Sequence, residues 1–127
     1  MMATATWAPG PNISTARNAP GLAALGGKLY VVGGDNGVVL SSVEVLDPAS
    51  ASPAWESGPS LETARSGLGL AALGGKLYAV GGSGSLATIE VLDTSSASPA
   101  WRPGPSLATA RTEFGLAALN ATLYAVG

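Results

Sequence analysis

Histidine and cysteine are both missing from this chain of 127 residues. Without them the chain cannot form a Ser-His-Asp or Cys-His catalytic set, nor a zinc site built from Cys and His. The lack of cysteine also means that no disulfide framework reports the redox compartment. Charge is scarce as well: 11% of the residues are Asp, Glu, Lys or Arg, against about 25% in an average protein.

The few charges nearly cancel, which bears on the partners we expect. The formal net charge is −2, which gives no electrostatic argument for nucleic acid or an anionic membrane. No apolar run reaches the roughly 18 residues of a membrane span, and the start of the chain lacks the basic and apolar stretches of a signal peptide. We therefore expect neither nucleic acid nor a membrane as partner, no cofactor, no metal and, by default, a cytoplasmic location.

What the chain does contain is repetition. Gly-Leu-Ala-Ala-Leu occurs at Gly21–Leu25, Gly69–Leu73 and Gly115–Leu119, with shifts of 48 and then 46 residues. A period in this range indicates repeated supersecondary units that bury their faces against each other. Three further residue types keep the same shifts: Trp7, Trp55 and Trp101; Arg17, Arg65 and Arg111; Tyr30, Tyr78 and Tyr124.

Each unit is predicted to be a meander of short strands. In residues 17–64, turn signals separate four runs with strand character, at residues 22–25, 28–32, 42–46 and 54–57. Such spacing is typical of an antiparallel sheet. The second unit repeats the pattern, the third holds its first two strands, and residues 6–11 resemble a fourth strand. The prediction is therefore eleven strands and an all-β fold.

These units resemble kelch repeats, whose marks are an aromatic strand ending in a Gly pair, a strand with Glu, a Trp and an Arg. In this sequence the marks are Tyr30, Gly33, Gly34, Glu44, Trp55 and Arg65, and then Tyr78, Gly81, Gly82, Glu90, Trp101 and Arg111. The resemblance implies blades of a kelch-type β-propeller. With about 2.7 repeats the ring would be incomplete, so we expect a fragment of a longer propeller or an assembly of copies.

In propeller terms the chain divides into four parts. Residues 1–16 are the predicted fourth strand of a preceding blade, 17–64 and 65–110 are two kelch repeats, and 111–127 are two strands of a third. The small side chains of Gly-Leu-Ala-Ala-Leu suit the innermost strand. Tyr30 and Trp55 would fill the gaps between blades, where large apolar rings are stabilising.

The repeated charges have structural interpretations. We expect Glu44 and Glu90 to form structural pairs, and the repeated arginines to tie neighbouring blades through hydrogen bonds to backbone or Glu. The Gly-rich residues 81–85 lack the Lys and the helix of a phosphate-binding loop, so they are predicted to connect strands.

Candidate ligand-binding residues follow each repeated Arg and each Gly pair. Alternating strand directions place both kinds of loop at the same end of the blades, where loops carry recognition in many folds. The residues are Asn18, Asp35, Asn36, Ser66, Ser83, Ser85, Thr112 and Glu113.

Three functions stay open at this stage. The leading one is a non-catalytic binding or scaffold module that recognises protein through its inter-strand loops. The second is part of a kelch-type enzyme, such as a sugar oxidase or a sialic-acid mutarotase, whose reactive residues lie outside this chain. The third is a structural segment with no activity of its own. We also expect self-association, because unpaired blade edges and faces favour it.

Overall fold

The computed structural model describes residues 6–127, which form ten β-strands and no helix. None of these residues therefore belongs to a helix that could cross a membrane. The strands are β1 (Gly21–Leu25), β2 (Lys28–Val32), β3 (Val43–Leu46), β4 (Trp55–Ser57), β5 (Gly69–Leu73), β6 (Lys76–Val80), β7 (Ile89–Asp93), β8 (Trp101–Pro103), β9 (Gly115–Leu119) and β10 (Thr122–Val126).

The strands form three antiparallel sheets in chain order. Blade 1 is β1-β2-β3-β4, blade 2 is β5-β6-β7-β8, and blade 3 is the hairpin β9-β10. The predicted all-β meanders are therefore confirmed. The eleventh strand is not: residues 6–11 form no strand. A fourth strand pairs with the third strand of its own blade, and residues 6–127 contain no third strand for it. Residues 1–5 of the predicted segment 1–16 lie outside the described residues.

Tight turns join the first two strands of each blade. Gly26 and Gly27 have φ of 59° and 76°, and the equivalent turn of blade 2 has the same values. Two successive positive φ angles are the mark of a type I′ hairpin, which glycine adopts without steric penalty. In blade 3 the same turn is made by Asn120 and Ala121, with φ of 49° and 61°.

The innermost strands bring the blades together. A Cβ added at Gly21 in β1 would lie 2.7 Å from the Leu70 Cβ in β5, and one added at Gly69 would lie 2.7 Å from the Leu116 Cβ in β9. Only glycine permits this approach. Because β1, β5 and β9 touch in turn, the three sheets are arranged about a shared centre.

The main core lies between blades 1 and 2. Tyr30 and Val32 of β2 face Leu77 of β6 and Trp101 of β8, and all four side chains are buried. This arrangement agrees with strand alternation, since residues two apart share a face. Burial of a large ring such as Trp101 removes about 150–250 Å² of surface from water, so this interface holds the two sheets in a fixed relation.

Candidate functional site

A buried arginine organises blade 2 from the inside. Arg65 is 0% exposed. Its Nε donates a hydrogen bond to Glu90 Oε2 at 3.0 Å, and its Nη1 donates to the carbonyl oxygens of Gly81 and Thr88, both at 2.8 Å. The guanidinium therefore joins the end of β6 to the start of β7. A buried ion pair needs this full set of partners to offset the loss of hydration.

The backbone of Arg65 is bound to blade 1. The Gly34 N–H donates to the Arg65 carbonyl at 2.8 Å, and the Arg65 N–H donates to the Leu40 carbonyl at 3.1 Å. A Cβ at Gly33 would overlap the Arg65 carbonyl oxygen, which explains the Gly pair at this point. One residue thus holds two blades, through its backbone on one side and its side chain on the other.

Arg17 makes the equivalent contacts in blade 1. Its Nη2 lies 3.0 Å from Glu44 Oε2. Glu44 also accepts hydrogen bonds from the backbone N–H groups of Ser14 and Thr15, at 2.7 and 3.2 Å. Burial raises the pKa of Glu44, but these N–H groups and Arg17 outweigh burial and hold the pKa below its ordinary value. The Glu44 carboxylate is therefore held in its charged form by an ion pair and two backbone N–H groups.

Trp101 and Trp55, on the fourth strands, pack against the chain segment that precedes their own blade. Trp101 is 2% exposed, and its Nε1 donates to the Pro59 carbonyl at 2.8 Å. Trp55 is half-buried and donates to the Pro11 carbonyl at 2.9 Å. Each ring therefore packs toward the chain that precedes its own blade. Among the remaining repeated aromatics, Tyr30 is buried, Tyr78 half-buried, and Tyr124 and Trp7 exposed.

The predicted ligand-binding residues do lie at one end of the blades, and two blades pair them. In blade 1, Asn18 and Asp35 exchange backbone hydrogen bonds of 2.8 and 2.9 Å. In blade 2, the equivalent Ser66 and Ser83 are linked by a backbone bond of 2.7 Å and a hydroxyl contact of 2.8 Å. The loop after Arg and the loop after the Gly pair are therefore neighbours, as alternating strand directions require.

A ladder of backbone hydrogen bonds links the loops of all three blades at this end of the molecule. The Gly67 N–H donates to the Ala19 carbonyl at 2.8 Å, and the Glu113 N–H donates to the Gly67 carbonyl at 2.7 Å. These three residues occupy the same repeat position and share positive φ angles of 48°, 63° and 52°. We define the loop face as the eight predicted residues together with this ladder.

The loop face is polar and exposed. Asn18, Asn36, Ser85, Thr112 and Glu113 are all exposed, and Asp35, Ser66 and Ser83 are more enclosed. The Asp35 carboxylate accepts the Gly37 N–H at 2.7 Å, so part of its capacity serves its own loop. The eight side chains carry two carboxylates and no cation. They can offer hydrogen bonds and a weakly negative surface to a ligand.

Sequence reasoning missed two grooves at the opposite, hairpin end of the blades. One, of about 440 Å³, lies between blades 1 and 2 and is lined by residues that include Lys28, Tyr30, Asp47 and Ser50. A second groove is lined by residues of blade 2 alone, which include the equivalent Lys76, Tyr78, Asp93 and Ser96. None of the eight predicted residues lines either groove. The signal that points to the grooves is the repetition of Lys and Asp at the ends of β2 and β3.

The acid in the second groove is engaged locally. The Ser95 hydroxyl and N–H donate to Asp93 Oδ1 at 2.7 and 3.0 Å. These bonds lower the pKa of Asp93 below its ordinary value, with a smaller contribution from Lys76. Among residues 6–127 no group of three or more Asp or Glu side chains could hold a metal ion. The second groove therefore offers Lys76, Arg102 and a carboxylate that is already hydrogen-bonded by Ser95.

The repeat geometry agrees with a known sequence family. The model of the Kelch motif matches residues 16–62 and again residues 64–108. The chain belongs to the kelch-motif family. The two matched stretches contain β1 to β4 and β5 to β8, so each kelch motif of this chain corresponds to one four-stranded blade.

A solved structure confirms the propeller arrangement. The structure titled "Structure of YjhT" has a TM-score of 0.80 to this protein at 15% sequence identity. It covers 94% of this chain, whereas this chain spans 40% of the YjhT chain. At this identity the likeness shows the fold alone. The described residues thus form consecutive blades of a kelch-type propeller. No curated protein matches its sequence.

Proposed function

We propose that this kelch-repeat module is a non-catalytic binding or scaffold unit that recognises protein through the loop face. The observation that carries the proposal is the continuity of that face. Loops of three blades meet there, joined by the backbone ladder through Ala19, Gly67 and Glu113. Exposed loops held by a rigid scaffold are where recognition concentrates in repeat folds.

The chemistry of the loop face favours an extended peptide of neutral or positive charge. Asp35 and Glu113 give the face its only charges, and the other six residues are amides and hydroxyls. Asn and Ser side chains supply adaptable hydrogen bonds, and a weak negative potential disfavours acidic ligands. A partner that presents Lys or Arg beside backbone amide groups fits this surface.

The proposed absence of catalysis rests on the residues present. The chain has no His and no Cys. The buried carboxylates of Glu44 and Glu90 are held by ion pairs and backbone N–H groups. Covalent catalysis requires a nucleophile hydrogen-bonded to a general base. On the loop face, the hydroxyl groups of Ser66, Ser83 and Thr112 contact another hydroxyl or a backbone carbonyl instead.

A peptide array tests the proposal directly. The folded 127-residue chain is applied to arrays of extended peptides that differ in net charge, and bound peptides are then measured in solution. We expect basic and neutral peptides to bind better than acidic peptides. A variant with Asn18→Ala, Asn36→Ala, Thr112→Ala and Glu113→Gln should lose at least about tenfold in affinity, as lost hydrogen bonds to charged groups imply.

The hairpin end supplies the matched control. Changing Lys28, Ser50, Ser52 and Glu56 to Ala or Gln alters the same number of exposed residues at the first groove, away from the loop face. The proposal requires this variant to bind peptides as the parent does. If it loses affinity and the loop-face variant does not, recognition belongs to the groove.

We further propose that the 127-residue chain associates with itself. The support is apolar surface at both ends of the blade row: Leu22 of blade 1 is 61% exposed, and Leu119 and Val126 of blade 3 are 59% and 70% exposed. Where blades 1 and 2 meet, the equivalent apolar surfaces are buried against each other. Static light scattering should show oligomers, and a sharp monomer peak with cooperative melting would refute the proposal.

A further inference from the structure

The first groove at the hairpin end continues the core between two four-stranded blades. Blade 1 and blade 2 supply its two walls. Residues two apart along a strand share a face, and so do paired residues of neighbouring strands. On this basis one face of blade 1 forms the first wall, with Lys28, Tyr30, Val45, Asp47, Ala54 and Glu56. Leu92, which is 1% exposed, and Thr94 belong to the wall from blade 2.

A hydroxyl group without a protein partner faces this groove. Tyr30 is 8% exposed, yet among residues 6–127 its hydroxyl forms no hydrogen bond. No fully enclosed side-chain N or O atom among these residues lacks a partner, so the Tyr30 hydroxyl reaches solvent, and the groove is the space that Tyr30 lines. The ring nitrogens of Trp55 and Trp101, in contrast, donate to backbone carbonyls. The Tyr30 hydroxyl is therefore free to donate and to accept a hydrogen bond.

The groove also carries a carboxylate whose charge is not balanced by a facing residue. Continuing the β2–β3 ladder by one residue places Lys28 opposite Asp47, and facing opposite charges partly neutralise each other. Glu56 instead faces Val45. It is exposed, and among residues 6–127 its carboxylate forms no ion pair. The net charge of the groove is therefore negative and belongs to Glu56.

Glu56 and Tyr30 lie in one row across the sheet. Glu56 pairs with Val45, and Val45 pairs with Tyr30, so two strand spacings, about 10 Å, separate the two backbones. In blade 2 the residue equivalent to Glu56 is Arg102, which pairs in the same way. Because the blades accept either charge at this exposed position, the fold does not require a carboxylate there. The sign of the charge instead selects the ligand of the groove.

We propose that the first groove binds a small hydroxylated amine, such as an amino sugar, with its ammonium group at Glu56 and a hydroxyl group at Tyr30. The ammonium group supplies the charge that balances Glu56 through charge-assisted hydrogen bonds. The distance between the two residues lets one ring-sized ligand reach both side chains. This site is separate from the loop face and does not depend on the function proposed for it.

The remaining lining fits the same ligand class. Ser50, Ser52 and Thr94 add hydroxyl residues to the groove, and a hydroxyl both donates to and accepts from the hydroxyls of a ligand. Val45 and Leu92 supply apolar surface for its C–H groups. The volume of about 440 Å³ lies within the range of small-molecule sites.

Three ligands that share one ring test the charge preference. Glucosamine, glucose and glucuronate are positive, neutral and negative at a pH at which the amine is protonated. Their binding to the 127-residue chain is measured by saturation-transfer NMR, which observes the ligand and therefore tolerates assembly of the protein. Glucose should bind at least about tenfold more weakly than glucosamine, and glucuronate more weakly still. Equal affinity for glucosamine and glucose would overturn the proposal.

A carboxylate variant identifies the residue that selects the amine. Glu56→Gln should reduce the affinity for glucosamine to that for glucose and leave glucose binding unchanged. Glu62→Gln is the matched control, since Glu62 is an exposed carboxylate outside the groove, and it should change neither affinity. Glucosamine binding that survives Glu56→Gln would contradict the assignment. The loop-face variant should bind glucosamine as the parent does, and a loss there instead would place the amine at Asp35 or Glu113.

The tyrosine hydroxyl has a test of its own. Tyr30→Phe keeps the ring in the core and removes only the hydroxyl, so it should weaken glucosamine and glucose by the same factor. Tyr78→Phe removes the equivalent hydroxyl from the second groove and should leave both affinities unchanged. If Tyr30→Phe binds both sugars as the parent does, the ligand does not occupy the groove as proposed.

Discussion

Val32, Val80 and Val126 occupy the same position in the three blades, and their side chains are 0%, 1% and 70% exposed. All three end the second strand of a hairpin with nearly identical sequence and backbone pairing. Blades 1 and 2 have third strands, from Val43 and Ile89, that pair beside the first two valines. The hairpin of blade 3 keeps its strand geometry without that cover.

The tryptophans give the same comparison at the other side of a blade. Trp101 packs against residues that follow β4 of blade 1, and it is 2% exposed. Trp55 occupies the same position in blade 1 and is half-buried against residues 6–16. The strands of a blade therefore form from local sequence, whereas the burial of their side chains depends on the adjacent strand or blade, as in other repeat proteins.

Truncation of the two tryptophans is expected to give the largest effect. Trp101→Ala should lower the free energy of unfolding by about 3–5 kcal/mol, because it opens a cavity in the core between blades 1 and 2. Trp55→Ala should lower it by about half as much, since its ring is only half-buried. Denaturant titration of both variants measures the difference. Equal losses would mean that residues 6–16 replace a complete preceding blade.

The arginines provide the next comparison. Arg65→Met leaves Glu90 buried without its ion-pair partner, so we expect a loss of about 3 kcal/mol. Arg111→Met removes one hydrogen bond at an outer blade, and we expect a loss of about 1 kcal/mol or less. Melting temperature and denaturant titration measure both. If Arg65→Met leaves stability unchanged, the buried network does not hold the blades together.

Much of this architecture is readable from the sequence because its causes are local. Gly pairs bound the strands, alternation assigns Val43 and Val45 to one face, and in blades 1 and 2 the repeated Arg and Glu stand 27 and 25 residues apart. The loop face follows from strand direction. These features depend on turn chemistry and periodicity, which a single repeat already displays.

Other features depend on atoms that come from neighbouring blades. Residues 6–11 copy the sequence of a fourth strand but form none, because pairing needs a third strand beside them. Ala19 has a positive φ where its carbonyl accepts the Gly67 N–H, and alanine by itself does not favour that conformation. The first groove at the hairpin end is likewise a shape between two blades, and no single repeat contains all of its lining residues.

Acid titration sharpens the comparison at blade 1. The folded-state pKa of Glu44 lies below its unfolded value, so below about pH 4.3 the unfolded chain binds more protons and folding loses stability. The contribution is complete above the unfolded pKa and disappears as the pH falls through the folded value. Glu44→Gln should lower the free energy of unfolding at pH 7 by about 1–2 kcal/mol and flatten its decline in acid.

Glu56→Gln is the charge-matched control for that titration, since Glu56 is an exposed carboxylate on β4. It should keep the acid decline of the parent. A parent-like decline in Glu44→Gln would show that Ser14 and Thr15 do not hold the carboxylate in solution as they do in the structure.

The smallest expected effect concerns the hairpin turns. Blades 1 and 2 use Gly-Gly, but blade 3 uses Asn120 and Ala121, and Ala121 has a φ of 61°. A Cβ disfavours this left-handed conformation, so Ala121→Gly should raise the free energy of unfolding by about 0.5–1 kcal/mol. Gly75→Ala imposes the same conformation, with a φ of 76°, on blade 2 and should destabilise it. If blade 3 is already frayed in solution, Ala121→Gly will leave the global transition unchanged but increase hydrogen-exchange protection in β9 and β10. Gly75→Ala, in the blade that has neighbours on both sides, should shift the global transition itself.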